Sequence, residues 1–98
     1  MSTVLICGNR TWSNWTAIAD FLDSCPAGTV IIEGGARGAD RIARTLAERR
    51  GLEVREYPAR WLLLGKRAGS LRNAEMLTAE RPDLVVAFTQ GADDAALT

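Results

Sequence analysis

"TVIIEGGARGADRIARTLA" (29–47) is the stretch that decides the fold. It opens on a short β-rich apolar run, "TVII" (29–32), of the kind buried on both faces of a sheet. It closes with Ala39, Ile42, Ala43, Leu46 and Ala47 at helical spacing, an apolar stripe on a charged segment. Between them lies "EGGARGAD" (33–40), with three glycines, one arginine and two carboxylates. Each glycine loses more chain entropy on folding than alanine would, so this corner needs bare backbone for some purpose. A strand that passes through a glycine loop into a helix is the repeating unit of an open parallel sheet.

The pattern continues on both sides. "TVLIC" (3–7) reads as a buried strand, and Trp15, Ile18, Ala19, Leu22 and Cys25 mark an amphipathic helix stopped near Pro26 and Gly28. Gly51 suits the position just beyond the second helix. "EVREYP" (53–58) alternates, as a strand nearer an edge does. After a loop, "ARWLLLGKRAG" (59–69), Leu71, Ala74 and Leu77 mark a third helix ended by Pro82, and "LVVAF" (84–88) is the last strand. The expected fold is α/β, a Rossmann-like three-layer domain with a small parallel sheet of about four strands and right-handed crossovers. Residues 1–98 make a single domain, without repeats or low-complexity segments.

Composition narrows the classes. An apolar fraction of 47% and a charged fraction of 24% suit a soluble globular protein. No run has the length of a membrane span, and "MSTVLICG" (1–8) lacks the basic flank of a signal peptide, so a cytoplasmic location and no membrane partner are expected. Two cysteines in apolar contexts, Cys7 and Cys25, are reduced core thiols on this reading. With no histidine beside them, no metal site is expected, and no cofactor is assigned. The net charge is zero, yet the window 37–72 holds ten basic and four acidic residues. An anion such as phosphate or nucleic acid suits that window, as does a set of solvated helix faces.

In open α/β sheets ligands sit at the carboxyl ends of the strands, and each such end here is unusual. "GNR" (8–10), "EGGARGAD" (33–40), "RWLLLGKR" (60–67) and "TQG" (89–91) follow the four strands in turn. Gly34, Gly35 and Gly38 would let backbone amides approach a phosphate at the N-terminus of the second helix. Arg37 would add a bidentate grip, and Asp40 would satisfy free amides or hold a ribose hydroxyl. The spacing fits neither the dinucleotide fingerprint nor the Walker loop, and a tight strand-to-helix turn explains the glycines equally well. Gly8 and Arg10 repeat the logic one strand away, while Lys66, Arg67, Arg72 and Asn73 flank the start of the third helix. Trp12 and Trp61 are candidates to stack on a base, or to pack in the core or a dimer. Without histidine there is no Ser-His-Asp or Cys-His arrangement. Glu33 is the candidate general base, since burial at a strand end would raise its pKa; an ion pair with Arg37 or Arg10 is the alternative.

Taken together, Gly8-x-Arg10, "GGARGAD" (34–40), "GKRAGSLRN" (65–73) with Met76, and "PDLVVAF" (82–88) resemble the YspA-like branch of the SLOG superfamily. That superfamily includes the DprA/Smf DNA-processing proteins and the LOG cytokinin-activating phosphoribohydrolases. The resemblance runs over nearly the whole chain. It implies a Rossmann-like fold, frequent homodimers, a rim for nucleotides or nucleotide-derived ligands, and common occurrence in phages and prophages. LOG enzymes carry a P-G-G-x-G-T loop after the fourth strand. Here that position reads "FTQGADDAALT" (88–98), where only Gly91 is kept and Asp93 and Asp94 stand where phosphate oxygens would lie.

The expected function is therefore binding of a phosphate-bearing nucleotide derivative. Gly8, Arg10, Gly34, Gly35, Arg37, Gly38 and Asp40 form the cradle, with Lys66, Arg67, Arg72 and Asn73 as auxiliary contacts. One alternative is a nucleotide N-glycosidic hydrolase with Glu33 or Asp40 as acid–base. Another is a DprA-like single-stranded DNA binder. A homodimer is also expected, because the short segment after Gly91 reads as a shortened C-terminal part that leaves the apolar strands under-covered.

Overall fold

Val4 and Ile6 of β1 (Thr3–Gly8) face one side of the sheet and Leu5 and Cys7 the other, and that alternation divides the core in two. The computed structural model describes residues 2–89. After β1 come α1 (Trp15–Asp23), β2 (Val30–Glu33), α2 (Ala39–Arg49) and β3 (Glu53–Glu56). Then follow α3 (Trp61–Leu64), a 3-10 turn (Gly65–Arg67), α4 (Ala68–Glu80) and β4 (Leu84–Phe88).

All strand pairs are parallel, in the order β3-β2-β1-β4. The crossovers from β1 to β2 to β3 step the same way along the sheet and set α1 and α2 on one face. The return to β4 beyond β1 carries α4 across the other face. Ile18 and Leu22 of α1, the α2 stripe, Val4, Ile6 and Ile31 form the larger cluster. Leu5, Val30, Ile32 and Met76 form the smaller one. This is a three-layer, Rossmann-like α/β fold. Burial of each large aliphatic side chain contributes about 1.5–3 kcal/mol.

The helices start and stop where their residues dictate. Asn14 caps α1, its Oδ1 accepting the Ala17 amide at 3.1 Å. Every apolar position assigned to α2 is buried, and Gly51 follows its C-cap with φ 71°. Two expectations need correction, and the place of the last strand is new. Residues 61–67, read as loop, are helical. "LVVAF" is an edge strand among the described residues, and Leu84 and Val85 are half exposed. In α4 the expected stripe of Leu71 and Leu77 is exposed, while Ala68 and Met76 are buried. The inward face of α4 runs Ala68, Arg72, Met76, Glu80, and two of these four are charged, so apolar periodicity pointed to the wrong side. Arg72 bonds to main-chain carbonyls, and Glu80 accepts from Tyr57 Oη at 2.5 Å and Arg55 at 2.8 Å. Among the described residues no helix is long and apolar enough to cross a membrane.

Candidate functional site

Parallel register places two carboxylates side by side at the carboxyl end of the sheet. Glu33 ends β2 directly opposite Glu56 of β3, and both point to the α2 face, in phase with Ile31 and Val54. Glu33 is fully buried. Its Oε1 accepts the Gly35 amide at 2.6 Å, while Oε2 is sealed from solvent and receives no hydrogen bond. Burial, then the hydrogen bond and charge of Glu56, push the Glu33 carboxyl up to about 8, with Asp40 adding its charge. Glu33 thus carries a proton at neutral pH. A protonated Oε2 would be a donor, and the carboxylate of Glu56, its partner in the strand register, would be the acceptor. Glu56 in turn takes Arg44 Nη1 on its own Oε2 at 3.0 Å.

Asp40, in the first turn of α2, faces back into the loop. Its Oδ2 accepts the amides of Gly34 at 3.0 Å and Ala36 at 3.4 Å. Burial pushes its carboxyl above the usual aspartate range, against these two bonds and the nearby Arg72. Of the two roles expected for Asp40, the structure fills the first, satisfaction of loop amides. The amides of Gly34 and Gly35 are therefore occupied by Asp40 and Glu33, so they do not make the open phosphate cradle anticipated from the glycines.

What the glycines accommodate is the protein itself. A Cβ on Gly38, which sits at φ 78°, would run into the carbonyls of Asn9 and Arg10, where the β1–α1 loop crosses the start of α2. The Asn9 carbonyl there accepts the Ala39 amide at 3.3 Å. A Cβ on Gly34 would strike the Arg72 guanidinium, whose Nη1 donates to the Gly34 carbonyl. Gly8 ends β1 against the Phe88 carbonyl.

Above this corner opens a cleft of about 520 Å³. Arg10, Arg37, Arg41 and Arg72 stand around the backbone of residues 34–36 and the Pro58–Ala59 segment, with no carboxylate in its walls. Arg37 lies in the loop before the α2 N-cap and Arg41 in the first turn of α2, and among the described residues neither has an ion-pair partner. Arg72 is anchored from behind by the carbonyls of Gly34 and Tyr57 and by Asn73 Oδ1 at 2.8 Å. Three other arginines of the basic window are ion-paired. Arg44 meets Glu48 and Glu56, Arg50 meets Asp23, and Arg55 meets Glu53 and Glu80.

The fold thus brings Arg10, Gly34, Gly35, Arg37 and Arg72 to one cleft. Asn73 orients Arg72, whereas Lys66 and Arg67 are exposed on the 3-10 turn, outside the cleft walls. Arg41 was not singled out from the sequence, although its spacing from Arg37 was the available signal. Trp12 packs on Phe88 with ring centroids 5.6 Å apart, and its indole N–H donates to the Asn14 carbonyl, so it is a partly buried residue packed against the core. Gly91, Asp93 and Asp94 lie outside the described residues. Among those residues no cluster of three or more cysteine, aspartate or glutamate side chains is arranged to hold a metal ion.

A parallel sheet with a glycine corner at β2 and a cleft lined by arginines over its carboxyl rim defines an α/β domain of the Rossmann-like class. The chain belongs to the YspA, cpYpsA-related SLOG family (YAcAr), whose pattern it matches over residues 2–63. That span runs from β1 into α3 and includes the whole glycine loop. The chain is also 43% identical, over 100 aligned residues, to the Gene 61 protein of Mycobacterium phage D29, covering 93% of this chain and 79% of that protein. No solved structure matches it.

Proposed function

We propose that this protein binds a phosphate-bearing nucleotide or nucleotide-derived ligand at the carboxyl rim of its sheet. One observation carries the reading: four arginines from three separate segments converge on a single cleft that has no acidic residue in its walls. Guanidinium groups bind phosphate bidentately, and membership of the SLOG family is consistent with nucleotide-related ligands. Anion recognition is assigned to these side chains rather than to the loop amides, because Asp40 and Glu33 already engage the latter.

The same contacts favour binding over N-glycosidic hydrolysis. Glu33 and Asp40, the two acid–base candidates, both face inward and hold the loop, and neither is in the cleft wall. Titration calorimetry of the full chain with nucleotides and ADP-ribose tests the proposal. Replacing Arg37 by alanine should weaken the bound ligand at least about tenfold, as loss of a charge-assisted contact does, while the thermal midpoint of the free protein stays in place. No binding by any phosphate-bearing ligand, or a collapse of Arg37→Ala stability, would sink the reading.

A further inference from the structure

Next to the arginine cleft lies a second cavity, of about 410 Å³, and the two share Pro58, Ala59 and Arg72 as a common wall. Their chemistry differs. The first is cationic. The second combines apolar surface from Leu64, Ala68 and Leu71 with charged residues of both signs, Arg60, Arg72 and Glu75. Ala68, Leu71, Arg72 and Glu75 are spaced i, i+3, i+4, i+7, so one face of α4 supplies this whole side.

Leu71 is the telling residue. It is a large aliphatic side chain left 45% exposed beside a cavity, on a helix that anchors itself through Ala68 and Met76 instead. The dividing wall is rigid, because Arg72 is tied to the carbonyls of Gly34 and Tyr57 and to Asn73. Apolar faces with a few placed polar groups suit a planar ring. Glu75 offers an acceptor to an amino group, and a phosphate is drawn to the neighbouring cleft, whose charged lining is arginine alone, which sets the direction in which a two-part ligand lies.

We infer that the second cavity is the subsite for an amino-bearing nucleobase of the same ligand whose phosphate occupies the arginine cleft. This rests on the function proposed above. It adds the orientation of the ligand, the residues that read the base, and a preference for bases that carry an exocyclic amine.

Calorimetry of the full chain with adenosine 5′-monophosphate, uridine 5′-monophosphate and ribose 5-phosphate tests it. The adenine nucleotide should bind at least about tenfold tighter than ribose 5-phosphate, and tighter than the uridine nucleotide. Leu71→Asp, at an exposed helix position, should bring the adenine nucleotide down to the level of ribose 5-phosphate. Glu75→Gln should narrow the gap between the adenine and uridine nucleotides, and it serves if the first variant fails to fold. Equal affinity of ribose 5-phosphate and adenosine 5′-monophosphate for the wild type overturns the base subsite and leaves phosphate binding standing. So does an adenine preference that survives both substitutions. If none of the three compounds binds, this inference fails, and the function it rests on fails with it only when the other nucleotides and ADP-ribose do not bind either.

Discussion

Replacing Glu33 by glutamine should flatten the dependence of folding stability on pH. Glu33 faces Glu56 across the β2–β3 register with its Oε2 sealed and unpartnered, and its carboxyl is pushed from the ordinary 4.5 up to about 8. Between those two values the folded protein holds a proton that the unfolded chain releases. Stability from this group is therefore fully present below pH 4.5 and is lost as pH rises toward 8. The slope for one proton is about 1.4 kcal/mol per pH unit. The wild type should thus lose about 5 kcal/mol across the window, a large part of a small domain's stability. Glutamine keeps the observed role of Oε1 in accepting from Gly35, and its amide would donate toward Glu56 in place of the proton. Its second N–H has no acceptor, which costs about 1–3 kcal/mol at every pH. Urea unfolding at pH 5, 6, 7 and 8 should give two lines that cross, with the wild type more stable at pH 5 and Glu33→Gln more stable at pH 8. Asp40 is also raised, but it is present in both proteins and cancels from the comparison. Parallel lines would show that Glu33 is ionised in the folded state and refute the shared-proton reading.

Gly38→Ala should destabilise by more than about 2 kcal/mol, since its Cβ meets two carbonyls. Gly51→Ala, at a similar φ of 71° but in open space, should cost only about 1–2 kcal/mol, and thermal denaturation separates the two. A mononucleotide should show a shallow salt dependence. A single-stranded oligonucleotide that binds more tightly, with a log–log slope of about −0.7 per phosphate contacted, would favour the DNA-binding alternative. We also propose a homodimer: Leu77, Leu84 and Val85 are each about half exposed, and β4 pairs only with β1 among the described residues. Light scattering at micromolar concentration should then report about twice the 10.6 kDa chain mass, and a stable monomer would disprove it.

The order of strands and helices was legible in the sequence because it follows from local pattern. "TVLIC" and "TVII" are apolar throughout, and they became the two central strands, buried on both faces. The α2 stripe and the glycine beyond its end needed only the helical period and the steric freedom of Gly51. Tertiary structure decided the rest. Which carboxylate faces Glu33 depends on the pairing register of strands 23 residues apart, and no local periodicity encodes register. The inward face of α4 includes Arg72 and Glu80 because carbonyls and a tyrosine await them there, so hydrophobicity alone chose the opposite face. The glycines of "EGGARGAD" announced a close approach of backbone, and Gly8 and Arg10 announced another beside it. Only the folded chain shows that the approaching groups are the Asn9 and Arg10 carbonyls and the Arg72 guanidinium. Packing of distant segments, which a linear pattern does not contain, turned a presumed phosphate loop into the floor of an arginine cleft.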